Sequence, residues 1–161
     1  MQYSNTIAIL GANSEIGELI ANKIAGNYPL LLVDQSEEKL YQLKQLVTEH
    51  HPKAQIELAV CSKDASWEAD TIIIAANEAA EQASIASKIV EVTTCKTVIQ
   101  IKKAHLDSAT LHPMLPYSKF IAVDWANTTA IVEGKDENSL SITGEIVHMC
   151  GLKPLFKKSL I

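Results

Sequence analysis

The sequence predicts an α/β domain built on a doubly wound parallel sheet, in three α/β/α layers, with an additional strand–helix–strand at its C-terminus. Three observations predict it. Short apolar runs such as PLLLV and DTIIIAA alternate with longer segments whose apolar residues recur at helical spacing. The runs lack the alternation of a half-exposed strand, as parallel strands covered on both faces do. The intervening segments are long enough to cross between parallel neighbours, and right-handed crossovers restrict the core order to 3-2-1-4-5-6.

Each element has its own warrant. Thr6–Leu10 is the first strand, and Glu15–Gly26 a helix with Ile16, Leu19, Ile20 and Ile24 on one side. PLLLV is the second strand. Ser36 caps the next helix, whose first turn holds Glu37 and Glu38, where the helix dipole favours negative charge. Its apolar side is Leu40, Leu43, Leu46 and Val47, and it ends near His50-His51-Pro52. AQIELAV is the third strand, KDASWEA a short helix or turn, and DTIIIAA the fourth strand. Glu78–Val92 reads as a helix with Ala79, Ala83 and Ala86 inward, and KTVIQI as the fifth strand. The rhythm breaks between Lys102 and Asn127, where KFIAV is the one strand. TTAIVEG follows, then a helix from Glu137 to Cys150 capped by Asp136 and stopped by Gly151, then the strand LKPLFKK.

Composition excludes several classes. The 161 residues suit one domain, 1–161, with 47% hydrophobic and 20% charged residues. The apolar runs are too short to span a bilayer, and MQYSNT has no signal-peptide pattern, so a cytoplasmic protein without membrane contact is expected. The net charge of −5 and the lack of a basic stripe argue against nucleic acid as a partner. Cys61, Cys95 and Cys150 are too scattered for a metal or disulfide pattern, and are read as buried or inert. All fourteen basic residues are Lys, so any anion must be held by Lys, amides or hydroxyls, without an Arg fork.

The segment TIAILGANSEIGELIANKIAG reads as strand, tight turn and helix, placed where a doubly wound sheet binds nucleotides. Its glycine pattern is partial. The G-x-G-x-x-G register gives Gly11, Asn13 and Ile16, one match. G-x-x-G-x-x-G gives Gly11, Ser14 and Gly17, and G-x-x-x-G-x-G gives Gly11, Glu15 and Gly17, two matches each. Asp34 follows Gly11 by 23 residues, near the roughly 20 expected for a carboxylate on the adenosine ribose. The candidate cofactor-binding residues are therefore Gly11, Ala12, Asn13, Ser14, Glu15, Ile16, Asp34 and Gln35, with Ala75 and Ala76 leaving room for a dinucleotide to cross. Ser14 can donate to a phosphate. Glu15 would repel one if it pointed inward. The alternative is that Gly11 and Gly17 serve only close helix–strand packing. Asp34 and the lack of Arg favour NAD(H), a Rossmann-type cofactor; Lys39 keeps NADP(H) open.

ILGANSEIGELIANKIA resembles the opening of a short-chain dehydrogenase, but no Tyr is followed four residues on by Lys, as that family requires. A second resemblance covers most of the chain. LHPML after the fifth strand and AIVEGKDENSLSITGEIVHMCGLKPLFKK are similar to the N-terminal domain of the prephenate dehydrogenase group, in the 6-phosphogluconate dehydrogenase-like superfamily. That resemblance implies hydride transfer, and a catalytic loop His at His112, acting as general base toward a substrate hydroxyl. It also implies a helical C-terminal domain, which this chain is expected to lack. The exposed surface would then favour a homodimer. The expected function is a stand-alone NAD(H)-binding domain related to oxidoreductases. The alternative is a non-catalytic nucleotide-sensing or degenerate module, and a methyltransferase on a similar sheet fits the later rhythm less well.

Other residues receive plainer readings. His112 can equally be a packing residue. His50 and His51 point about 100° apart on a helix and make no metal pair. His105 and His148 lack spaced partners. Trp67 and Trp125 are assigned to packing, and Lys102 and Lys103 either to a solvated loop or to a substrate anion.

Overall fold

The computed structural model describes residues 5–103 and 110–158; Tyr3 and His105 lie outside them. The chain alternates as expected: β1 (Ile7–Leu10), α1 (Glu15–Ile24), β2 (Leu30–Val33), α2 (Glu37–His50), β3 (Ile56–Ala59), α3 (Ser62–Glu68), β4 (Thr71–Ile74), α4 (Ala79–Ile89) and β5 (Thr97–Lys103). Then come β6 (Lys119–Trp125), β7 (Thr129–Gly134), α5 (Glu137–Met149) and β8 (Lys153–Lys158). The sheet order is β3-β2-β1-β4-β5-β6-β7-β8, so the core order read from the sequence stands. β1 to β6 are parallel. β7 returns antiparallel to β6, and β8 runs parallel to β7, which is the additional strand–helix–strand.

The apolar runs explain the layers. β1, β2 and β4 are buried at every position. Successive side chains of a strand point to opposite faces, so Ile7 and Ile9 join one core with α1, α2 and α5, while Ala8 and Leu10 join another with α3 and α4. A strand feeding two cores has no room for polar alternation.

Several expectations need correction. α4 buries Gln82, Ile85, Ala86 and Ile89, with Ala83 partly buried against that core; of the three alanines expected inward only Ala79 is exposed, and Gln82 takes a buried place the sequence reading did not give it. Leu46 lies outside the buried stripe of α2. Trp67 is not a packing residue: it is 73% exposed, with the Lys96 ammonium 5.8 Å from its ring centroid. Cys61 and Cys95 are exposed, and Cys150 is half-buried, with its thiol pushed up to about 12 by burial.

Candidate functional site: the turn after the first strand

The turn begins where β1 ends. Gly11 has φ +86°, a left-handed conformation that favours glycine. A Cβ there would sit 2.6 Å from the Ala76 amide nitrogen, so the end of β4 presses directly on it. At Gly17 a Cβ would lie 2.6 Å from the Gly11 carbonyl oxygen. Both glycines are thus required by close packing of turn, helix and strand.

The backbone donors divide clearly. The Gly11 and Ala12 amides both donate to the Val33 carbonyl, at 3.0 and 3.1 Å, and the Ser14 amide donates to Gly11. The Asn13 amide donates to Asp34 Oδ2 at 2.9 Å. Ser14 caps α1, its Oγ accepting from the Gly17 amide at 3.0 Å. The same hydroxyl donates to the Ala75 carbonyl at 2.7 Å, so its proton is engaged within the protein. Among the described residues no acceptor meets the Glu15 and Ile16 amides, the first two helical positions. These donors at the positive end of α1 are what an anion can use. The span of amides expected to hold a diphosphate, Gly11 to Ile16, narrows to these two.

Glu15 is exposed and its carboxylate accepts no hydrogen bond among the described residues; it lines a cleft of about 540 Å³ with Ile16, Leu19, Lys103 and Trp125. Asp34 stands on the other side of the turn. Its Oδ1 accepts from the Gln35 amide at 2.8 Å and its Oδ2 from Asn13. A carboxylate has about four acceptor positions, so two remain for a diol.

Beyond the turn, a cleft of about 340 Å³ opens over Ile16, Ala75, Ala76, Glu78, Lys102 and Lys103. It lies outside the carboxyl ends of β1, β4 and β5, where ligands of such sheets bind. Its floor holds a polar relay that the sequence analysis missed. Gln82 Nε2 donates to the Ala76 and Ile101 carbonyls at 2.9 and 2.8 Å. Gln100 Nε2 donates to Gln82 Oε1 at 2.9 Å, and the Leu111 amide donates to Gln100 Oε1 at 2.9 Å. Both Gln side chains are buried. One signal was present: Gln100 interrupts the otherwise apolar strand TVIQI.

Electrostatically the site is mixed. Burial, then the Asp34 and Glu78 charges, push the Glu81 carboxyl above its ordinary range. Lys102 lies 3.5 Å from Asp124.

His112 is not brought to this cleft. It opens a single 3-10 turn, His112–Met114, and its ring lies against Phe120, the second residue of β6, with centroids 5.6 Å apart. Phe120 is in register with Val98, near the start of β5, toward the amino ends of the strands. His112 lines a different cleft, with Lys119, Phe120 and Lys135.

No family model matches the chain, and no curated protein matches it. Solved structures do. A diketoreductase acting on dicarbonyl compounds superposes at TM-score 0.67 and 21% identity, over 99% of this chain and 66% of that one. An imine reductase from Pseudomonas sp. gives 0.73 and 14%, over 98% and 56%. A pyridine carboxylic acid dehydrogenase, described as an NAD+-dependent dismutase, gives 0.67 and 14%, over 98% and 59%. The chain thus has the Rossmann-type fold of dehydrogenases and reductases, and spans less than two thirds of each of these proteins.

Proposed function

We propose that the chain binds NAD(H) across the β1–α1 turn and belongs to an oxidoreductase that transfers hydride. The observation that carries this reading is the pairing of two unengaged amides, Glu15 and Ile16, with a carboxylate held beside them by Asn13 and Gln35. The residues fit the cofactor. The amides would take the diphosphate, Asp34 the ribose diol, and the cleft over Ala75 and Ala76 the crossing to the reactive end. When bound, the nicotinamide supplies hydride chemistry; this chain's part is to hold and orient it. The Asp34 carboxylate, with Glu81 nearby and itself pushed above its ordinary range by burial and then by the Asp34 charge, disfavours the extra phosphate of NADP(H).

The prephenate dehydrogenase-like reaction is the finer form of this proposal, with His112 as base. The position of His112 in the other cleft instead favours a second reading, a nucleotide-binding module without its own catalytic base. Self-pairing belongs to either reading, because Ile131, Leu155 and Phe156 leave apolar surface on β7 and β8. Sedimentation equilibrium tests it.

Calorimetry tests the core of the proposal. Micromolar binding of NAD+ or NADH, about −8 kcal/mol, is expected, with NADP+ at least tenfold weaker. Asp34→Asn should lower NAD+ affinity about tenfold and shrink that preference. Binding together with NADH oxidation by a panel of carbonyl compounds supports the enzyme. Binding without turnover supports the sensing module. No binding of any dinucleotide removes both.

A further inference from the structure

We infer that Gln82 and Gln100 form a polarised hydrogen-bond relay that couples the floor of the first cleft to the turn carrying His112. The relay lies in the chain's own buried residues, so it does not rest on the dinucleotide reading. β4 ends at Ile74, whereas β5, paired with it, runs on to Lys103. Past the end of β4, Gln82 of α4 reaches in, and its Nε2 donates to the Ala76 and Ile101 carbonyls at 2.9 and 2.8 Å. Carbonyl oxygens cannot donate, so the atom between them is the NH2 nitrogen, with both hydrogens in use. Gln82 Oε1 is then an acceptor, and Gln100 meets it with Nε2 at 2.9 Å. At the far end the Leu111 backbone N–H can only donate, and it meets Gln100 Oε1 at 2.9 Å. The two ends thus dictate the same direction independently. Turning over either amide would set oxygen against oxygen at one contact and hydrogen against hydrogen at another.

Burial makes the relay strict. Gln82 is 4% exposed and Gln100 fully buried, so a broken bond leaves polar groups facing each other away from water. Its far end acts on Leu111. That residue is buried with Leu115, and its carbonyl accepts from the Met114 amide at 3.0 Å, closing the single turn His112–Met114. The His112 ring leans on Phe120 and lines the second cleft. Ala76, Gln82 and Ile101 line the first, and Lys102 borders both. The floor of one cleft and the wall of the other therefore hang on one chain of amides. A change at the Ala76 or Ile101 carbonyl is felt at Leu111, which touches neither of them through a hydrogen bond of its own among the described residues.

Hydrogen exchange in the 15N-labelled protein, with no ligand added, is the test. In the wild type the Gln82 side-chain amide and the Leu111 backbone amide should both be protected. Gln82→Met keeps the length but cannot donate, and it should lower Leu111 protection about tenfold, although Gln82 makes no hydrogen bond to Leu111. Gln100→Leu should lower it by a similar factor, and the double variant by about tenfold rather than a hundredfold, because both break one chain. Gln100→Glu should respond to pH. A neutral carboxyl can donate to Gln82 and accept from Leu111, so protection should be present in acid and be lost as pH rises and the buried group ionises. Gln82→Glu should not recover in acid, since one O–H cannot serve two carbonyls. Protected β1 amides show that a variant is folded, and the wild-type measurement decides the matter if one is not. Free exchange of the Gln82 side-chain amide overturns the relay. So does an unchanged Leu111 in folded Gln82→Met, or single losses that multiply in the double variant. Recovery of Gln82→Glu in acid without recovery of Gln100→Glu would reverse its direction and overturn it as well. Failure of NAD+ to bind leaves it intact, so the two proposals fail separately.

Discussion

The β1–α1 turn and the β7–α5 turn both launch a helix from a strand of the same sheet, yet they finish it differently. α1 is capped by Ser14, a buried neutral hydroxyl that also ties the turn to β4 through the Ala75 carbonyl. α5 is capped by Asp136, a carboxylate that already supplies a negative charge to the helix end. A charged cap satisfies the positive end of the dipole, and a neutral one leaves it for a ligand. The proposed dinucleotide reading draws on that difference in the caps, with Glu15 and Glu18 also standing in the first turn of α1.

The largest expected effect compares a glycine of the first turn with one at the far end of α5. Gly11 and Gly151 have nearly equal φ, +86° and +85°, but Gly11 is jammed against the Ala76 backbone while nothing lies within 4 Å of a Cβ at Gly151. Gly11→Ala combines the left-handed penalty with a forced backbone shift, and should cost about 4 kcal/mol in urea unfolding. Gly151→Ala carries only the first contribution, about 1 kcal/mol. Equal losses at the two positions would show that the β4 contact contributes nothing.

The caps come next in size. Ser14→Ala removes the bond to Gly17 and leaves the Ala75 carbonyl unpaired in the interior; about 2 to 3 kcal/mol should be lost. Asp136→Ala should cost about 1 kcal/mol. Its effect should depend on pH, because bonds from the Ser139 backbone and hydroxyl hold the Asp136 carboxyl below its ordinary range. The contribution is then complete above the ordinary aspartate range and is lost as pH falls through the lowered value. Asp136→Ser should keep most of the stability and abolish the pH dependence. A pH-independent loss in Asp136→Ala would contradict the assignment.

These contrasts also explain what the sequence disclosed. The central strands were legible because LLLV and TIII need no partner information: an unbroken apolar run has to be covered on both faces. Ser36 and Asp136 were legible as caps because capping is local. The site was legible only as a place. That Ser14 turns its proton to Ala75, 61 residues away, depends on how β4 docks, and spacing within the turn does not encode it. Likewise Gln82 and Gln100 meet only through the α4–β5 packing. The place of His112 was not legible for a related reason. It follows β5 in sequence, but its segment returns along the sheet to start β6, so following a strand did not mean lying at its carboxyl end.

The smallest expected effect separates the two regions by their carboxylates. At the end that carries the β1–α1 turn, Glu81 is pushed above its ordinary range by burial first, then by Asp34 and Glu78. Its folded form holds a proton more tightly than its unfolded form. The stability it contributes is therefore present below the ordinary glutamate range and declines as pH rises through the raised value. At neutral pH the side chain is a net destabiliser, opposite in sign to Asp136. Glu81→Gln should raise the melting temperature at neutral pH slightly, within about 0.5 kcal/mol, and the gain should vanish in acid, where Glu81 is already neutral. The same change removes a negative charge near the proposed diphosphate site, so dinucleotide affinity should increase along with stability. A loss of stability at neutral pH would mean that Glu81 serves as a partner in the fold, and that the acidic crowding around Asp34 is not what sets this end of the sheet apart.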